Sequence, residues 1–289
     1  MDSKNQSHKQ NSENESAAAE YWKKLSLNWE KFGPPLRPSI QDTVFMTDAI
    51  NSWARDNGAP RALILGVTPE LYYLSWPKET DILAVDHNQA MIDNVWPGPR
   101  NSIICDELLD IPLQRSSRDI ALCDGGISVF DYPHEHHQFV RVLHRIIAPN
   151  GLLILRLFVP QNEHQEPEEV LQDLVASKIP DLNHFKLRIW GAKYDDITKG
   201  IQLKHVWDTI HSAVPDLNGL AAKLGWQSDT LFIINAYRNN PTRFVFPNVD
   251  EVSYLFCQNP GGFKLETVRV PTYELGKCCP TVVFRRDHT

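Results

Sequence analysis

The sequence predicts an α/β protein. Its frame is a doubly wound, seven-stranded sheet, parallel except at its end, with an α-helical insertion after the fifth strand. Three observations lead there. Short apolar runs alternate with helical patterns over residues 61–158, as strand–helix–strand units of a parallel sheet do. From about 159 to 246 that alternation stops and amphipathic helical stripes replace it. The last two strand patterns, 263–270 and 280–284, stand too close for an intervening helix, so they form an antiparallel pair.

The first unit is the most informative. Ala62-Leu63-Ile64-Leu65 is a continuous apolar run, the pattern of a strand buried on both faces. Gly66 follows where the chain turns and a ligand can approach the backbone. Thr68-Pro69-Glu70 reads as a helix start, with Thr as N-cap and Pro at the first position. The second run, Ile82-Leu83-Ala84-Val85, ends in Asp86. An acid at that tip is placed to take the hydroxyls of a ribose.

The remaining elements follow in order. Residues 17–31 predict a helix with Tyr21, Trp22, Leu25 and Trp29 on one face, and the prolines of 34–38 end it. A second helix spans about 39–56, with Val44, Ile50 and Trp53 facing the sheet. After Asp86, Asn88 caps a helix carrying Met91, Ile92, Val95 and Trp96, which Pro97-Gly98-Pro99 stops. Residues 102–106 form the third strand, ending in Asp106, and 119–124 the fourth, closing on Gly125-Gly126. A helix with Phe139, Val142, Leu143, Ile146 and Ile147 stops at Pro149-Asn150-Gly151, and 152–158 is the fifth strand. The insertion is read as all-helical, with stripes at Val170/Leu171/Leu174/Val175, Leu203/Val206/Trp207/Ile210 and Leu217/Leu220/Ala221/Leu224. It sits over the carboxyl ends of the strands, where ligands bind. A helix over 249–258 and a turn at 259–262 lead into the final strand pair.

The expected segments are a disordered tail (1–20), an N-terminal helical cap (21–60), a nucleotide-binding core (61–158), a helical substrate cap (159–246) and the completion of the sheet (247–289). With 289 residues and 42% hydrophobic content the chain is long enough for a full core. A net charge of -7 and a pI near 5.9 argue against a nucleic-acid partner. No apolar run is long enough to span a membrane, and the N-terminus has no signal-peptide core. Five cysteines without a CxxC pair fit a reducing, cytoplasmic setting, with Cys105 and Cys123 as small hydrophobes inside strands and Cys278-Cys279 as strand packing.

Taken together, Leu65-Gly66-Val67 after strand one, Asp86 after strand two, Asp106 after strand three and Asp124-Gly125-Gly126 after strand four resemble the class I S-adenosylmethionine-dependent methyltransferases. The Leu65–Leu71 stretch (LGVTPEL) and Trp96-Pro97-Gly98 are similar to a bacterial subgroup of these enzymes. The resemblance implies a Rossmann-like sheet and S-adenosyl-L-methionine as cofactor, and with the acidic pI a small-molecule acceptor is expected. It implies cofactor contacts from Gly66, Val67, Thr68 and Pro69 at the first turn, and from Asp86, His87 and Met91 at the ribose and adenine. It also implies contacts from Cys105, Asp106 and Glu107 after strand three and from Asp124, Gly125 and Gly126 beneath the reacting methyl. Only one glycine remains of the family's glycine-rich turn, and the Asn/Asp-Pro-Pro-aromatic motif of nucleobase and amide methyltransferases is missing from strand four.

Arg37 is a candidate for holding a carboxylate of cofactor or acceptor. Tyr132 and His134, in the polar run Asp131–His137, are the candidates for a base, and this contiguous run is read as solvated rather than as a metal site. Trp190, Tyr194, His205, Trp207, His211 and Tyr237 are candidates for a pocket in the insertion. Rival readings are a cofactor-binding regulatory protein without catalysis, an aminopropyl transferase, and an NAD(P)-dependent oxidoreductase. The last would want a G-x-G-x-x-G turn. Neither the acceptor atom nor the oligomeric state is legible.

Overall fold

A computed structural model describes residues 18–161, 163–227, 231–258 and 262–288. Most of the expected tail and the turn at 259–261 lie outside them, whereas 18–20 already belong to a helix. The sheet is built from β1 (Arg61–Leu65), β2 (Asp81–Asp86), β3 (Ile103–Cys105), β4 (Arg118–Asp124), β5 (Ile147–Arg156), β8 (Phe263–Arg269) and β9 (Thr281–Arg286), in the order β3-β2-β1-β4-β5-β9-β8. The first five run parallel; β9 lies antiparallel between β5 and β8. The seven-stranded, doubly wound architecture is therefore the one expected. The strand order reverses between β1 and β4, and a ligand crevice forms at such a point.

Alternate residues of each strand enter two cores. On one face, Leu63, Leu65, Ala121, Cys123, Leu153 and Leu155 pack against α5 (His134–Ile146) and α11 (Val249–Cys257). On the other, Ile64, Ala84, Ile120, Leu122 and Ile154 pack against α2 (Ile40–Asn57) and α4 (Gln89–Asn94). The helix α2 starts at a capping box, in which Ser39 Oγ accepts from the Asp42 amide and the Asp42 carboxylate accepts from the Ser39 amide. Its inward face is Met46, Ile50 and Trp53; Val44, expected there, is 49% exposed. The 3.6 period carries Met46, not Val44, onto the stripe with Ile50 and Trp53.

Boundaries differ from expectation in places, and the N-terminal helix, expected to run to residue 31, ends at 26, ahead of the prolines. The helix before β5 ends at Ile146, and Pro149-Asn150-Gly151 lie inside β5 rather than before it. A register shift opposite Arg118–Ile120 absorbs them, with Asn150 at φ +64°. The Asn150 carbonyl accepts from Trp53 Nε1 and Arg285 Nη1, both at 3.0 Å, so tertiary donors hold what reads locally as a stop. The helix after Thr68, α3 (Pro69–Tyr72), is a single turn.

A third core stands over the carboxyl ends of the strands. It joins the N-terminal helix α1 (18–26) to α6 (Pro167–Val175), α7 (Leu182–Lys193), α8 (Leu203–Ala213), α9 (Leu217–Leu224) and α10 (Phe232–Asn235). The segment is not all-helical. A short antiparallel ladder, β6 (Ile201–Gln202) with β7 (Arg243–Phe244), closes it, too short to leave a period-2 pattern. Within this core α7 is the central helix, with Leu182, Phe185, Lys186, Leu187, Ile189, Trp190 and Ala192 all buried. Val175, expected on the α6 stripe, is 45% exposed.

Candidate active site

The tips of β1, β2 and β4 open into one cavity of about 400 Å³ whose opposite wall is the third core. The strand side supplies Gly66, Val67, Thr68, Asp86, Asp124 and Gly125. The helical side supplies aromatic rings, among them Trp22, Trp29, Phe32, Trp190 and Phe246.

At the first turn Gly66 adopts φ +83°, and nothing stands within 4 Å of where a Cβ would be. A left-handed position costs glycine nothing and leaves the backbone open to a ligand. Asp86 locks this turn to the second strand. Its Oδ2 accepts from the Val67 amide and its Oδ1 from the Asn88 amide, each at 2.8 Å. Burial raises the Asp86 carboxyl against the pull of those amides and of His87. Each carboxylate oxygen keeps a second lone pair, and Asp86 lines the cavity.

At β4 the chain ends in Asp124 and then Gly125 at φ +65°, where a Cβ would come within 2.5 Å of Phe158 Cε2. Gly125 therefore fits because it has no side chain to collide with Phe158. Asp124 Oδ1 accepts from Arg156 Nη1 at 2.7 Å. Burial pushes Asp124 up to about 6, against the opposing pull of Arg156, so it is ionised at neutral pH. Arg156 is itself 1% exposed. Its Nε lies 3.5 Å from Asp42 Oδ2, its Nη2 donates to the Pro35 carbonyl and to Tyr273 Oη, and the Tyr273 hydroxyl donates to Asp42. An arginine in the fifth strand was the sequence signal for this network, which the periodicity reading passed over.

Of the sequence candidates, Gly66, Val67, Thr68, Asp86, His87, Met91, Glu107, Asp124, Gly125, Gly126 and Arg37 line the cavity. Pro69 faces a separate surface groove instead. Cys105 is exposed, not packed inside the strand as expected, because β3 is a short edge strand. Asp106 Oδ1 accepts from the Glu107 amide at 2.8 Å and stays outside the lining, which leaves Glu107 as the acid on this rim. Arg37 is committed to protein partners: Nη2 to Glu70 at 2.5 Å, and Nη1 to the Trp29 and Phe32 carbonyls. Its Nε is buried without a partner among the described residues.

Tyr132 and His134 are not among the cavity-lining residues, and His134 is exposed. The polar run divides as its helix turns: Glu135 reaches the cavity wall, while His136 is buried edge-on to Phe130 and Tyr132, burial lowering its pKa. Of the insertion candidates only Trp190 lines the cavity. Cys278 and Cys279 are buried, but in a loop and short 3-10 turn before β9 rather than in a strand. Among the described residues no group of three or more His, Cys, Asp or Glu side chains is placed to hold a metal, and no helix is long and apolar enough to cross a membrane.

Missed from the sequence were Phe158, Lys186, Phe244 and Phe246. A signal for Lys186 existed: it lies one turn before Trp190, between Phe185 and Leu187.

Residues 65–155 match the family model for a methyltransferase domain. The match supports a methyltransferase of the S-adenosylmethionine-dependent class. No curated protein matches the sequence. Among solved structures, the chain is similar to a Rhodobacter sphaeroides protein provisionally named as a Zn-dependent alcohol dehydrogenase, at 15% identity and a TM-score of 0.59, covering 93% of this chain and 98% of that one. At that identity the likeness is one of fold. Weaker likenesses are to the N-methyltransferase NodS of Bradyrhizobium japonicum, solved with S-adenosyl-l-homocysteine (8% identity, 89% and 91% covered, TM-score 0.45), and to a SAM-dependent methyltransferase of Methanosarcina mazei (11%, 79% and 93%, 0.43).

Proposed function

We propose that the protein is an S-adenosylmethionine-dependent methyltransferase acting on a small, largely apolar acceptor. One observation carries this reading: the strand-tip residues Gly66, Asp86 and Gly125 share a single cavity with the aromatic wall of Trp29, Trp190 and Phe246. Two different ligands meet naturally in such a space, one recognised by polar strand tips and one by rings.

The residues fit the cofactor. The open backbone at Gly66 leaves room for its methionine part. Asp86 is held by two amides with lone pairs to spare for ribose hydroxyls. The ionised Asp124 complements positive charge beside Gly125. Glu107, with Met91 and Leu108, forms the rim on which the adenine would rest. When bound, S-adenosylmethionine supplies a methyl group on a positively charged sulfur that is already a good leaving group.

What remains for the chain is positioning. The aromatic wall excludes water and holds the acceptor in line, which is where most of the acceleration in such a transfer comes from. Arg156 fixes the Asp124 carboxylate, and Phe158 packs against Gly125 to set the floor. A base is needed only for an acceptor protonated at neutral pH.

Calorimetric titration tests the reading, with S-adenosylmethionine and S-adenosylhomocysteine beside NAD and NADP, on the wild type and Asp86→Ala. Both sulfur ligands are expected to bind with Kd near about 1 μM and to lose at least ~10-fold in the variant. Failure of the folded wild type to bind either one sinks the reading.

A further inference from the structure

Lys186 is the one lysine buried in this protein's described core, 2% exposed, on the central helix α7. Its ammonium lies over three ring faces: Phe32 at 4.8 Å, Trp190 at 5.0 Å and Tyr237 at 5.5 Å from the centroids. Lys186 also lines the cavity shared with the strand tips. Among the described residues it has no carboxylate in salt-bridge range, and no side-chain or carbonyl oxygen accepts from Nζ.

That arrangement is incomplete. A lysine carries three N–H donors, and buried donors are nearly always satisfied. Ring faces offset part of the cost of burying the charge, yet they accept no conventional hydrogen bond. A structural lysine would reach a carbonyl or snorkel to solvent. This one reaches no carbonyl, and its ammonium borders the cavity.

We propose that Lys186 determines acceptor specificity, and that the acceptor is an apolar ring compound bearing one ionised oxygen, a carboxylate or an acidic phenol, which accepts from Lys186 Nζ. The proposal rests on the reading of the strand tips as the cofactor half of the cavity. The rings of Phe32, Trp190 and Phe246 take the apolar body, and the ammonium takes the oxygen. An acceptor that enters as the neutral acid gives its proton to the neutral amine: one O–H bond breaks, one N–H bond forms, and an oxyanion–ammonium pair results.

Burial alone lowers Lys186 from 10.5 to about 7, so both forms of the amine exist at neutral pH and that proton has a place to go. The titratable group beside it is the phenol of Tyr237, against whose ring Tyr21 of α1 packs, and burial raises both phenols so that they are neutral throughout this range. Further along the same cavity, Arg37 is paired with Glu70, and Glu135 accepts from the Asp131 amide. None of these supplies the missing acceptor.

The test is calorimetry on the full chain saturated with S-adenosylhomocysteine, wild type against K186M and K186R. Each anion is paired with a neutral partner: benzoate with benzamide, cinnamate with cinnamide, para-nitrophenolate with para-nitroanisole. At least one anion is expected to bind the wild type ~10-fold or more tightly than its neutral partner. K186M should erase that preference while keeping S-adenosylhomocysteine affinity, and K186R should retain it. Should K186M fail to fold, K186Q takes its place. The pair that shows the preference separates a carboxylate from a phenolate acceptor. No preference for any anion in the wild type, or a preference that survives in K186M, overturns the proposal. If the wild type prefers anions without the homocysteine ligand and never binds that ligand, the anion site stands and the methyltransferase reading falls. Binding of that ligand without any preference sinks the Lys186 proposal alone.

Discussion

Asp124 shows how a single residue carries a pH dependence. Its carboxyl is raised from 3.8 to about 6 because burial outweighs the attraction of Arg156, with Glu70 and Asp42 adding to the rise. Between those values the folded protein keeps the proton that the unfolded chain has lost. Above about 6 the group is ionised and complements a cationic ligand; below it the complement is gone. Affinity for S-adenosylmethionine should therefore be full at pH 7.5 and fall as pH drops through about 6, approaching tenfold per pH unit. Wild-type calorimetry from pH 5 to 7.5 measures this, and a flat profile would remove Asp124 from the cofactor's surroundings. The wild type is the right material, because Asp124→Asn strips Arg156 of its nearest carboxylate.

At the scale of elements, the site depends on how β1 and β4 end. Both end at a glycine in the left-handed region, Gly66 at +83° and Gly125 at +65°, but the two do different things. Gly66 leaves space, whereas Gly125 lets Phe158 close over the backbone. In Gly125→Ala the left-handed backbone costs about 1–2 kcal/mol, and the new methyl group pushes Phe158 out of place. We expect a lower urea midpoint and weaker S-adenosylhomocysteine binding by about tenfold, from a shift of roughly 1.4 kcal/mol. Full binding with only the stability loss would mean that Phe158 does not shape the cofactor floor. The single-turn α3 has a related meaning. It offers few amides to a carboxylate, so Asp86 carries more of the work at this corner, tying the Val67 amide to the tip of β2.

Across the whole molecule, Arg156 is the common point. It leaves β5 and touches β4 through Asp124, α2 through Asp42, the proline-rich loop through Pro35, and the loop before β9 through Tyr273. Removing it takes the hydrogen-bonding cation from the buried Asp124 and the counter-charge from the buried Asp42, which keeps the Ser39 amide and the Tyr273 hydroxyl. Losing one partner of a buried ionic network costs about 3–5 kcal/mol, so Arg156→Leu should lower the unfolding free energy by that order in urea denaturation. It should also loosen α2 against the sheet, visible as faster amide exchange in residues 40–57. A neutral substitution would show that the network is not a structural hub.

Legibility follows from the range of each interaction. The strand and helix patterns of 61–158, the antiparallel ending and the acids at the strand tips are local signals, because periods of 2 and 3.6 residues are set by neighbouring positions. The strands carrying Leu65-Gly66 and Asp86 are therefore legible in the sequence, and the stop signal Pro149-Asn150-Gly151 misleads for the same reason. That signal is local, while the donors that override it, Trp53 and Arg285, come from distant elements. Tyr132 and His134 stood out as a polar run, but the turn of α5 carries Glu135, not His134, to the cavity wall. Sequence alone determined the seven-stranded sheet, its antiparallel ending and the residues at its strand tips. Only the tertiary structure decided that Arg156 would meet Asp42 and Asp124, and that Lys186 would stand unpaired among Phe32, Trp190 and Tyr237. Those meetings join positions up to about a hundred and fifty residues apart, and no periodicity in a chain encodes which distant faces its topology will press together.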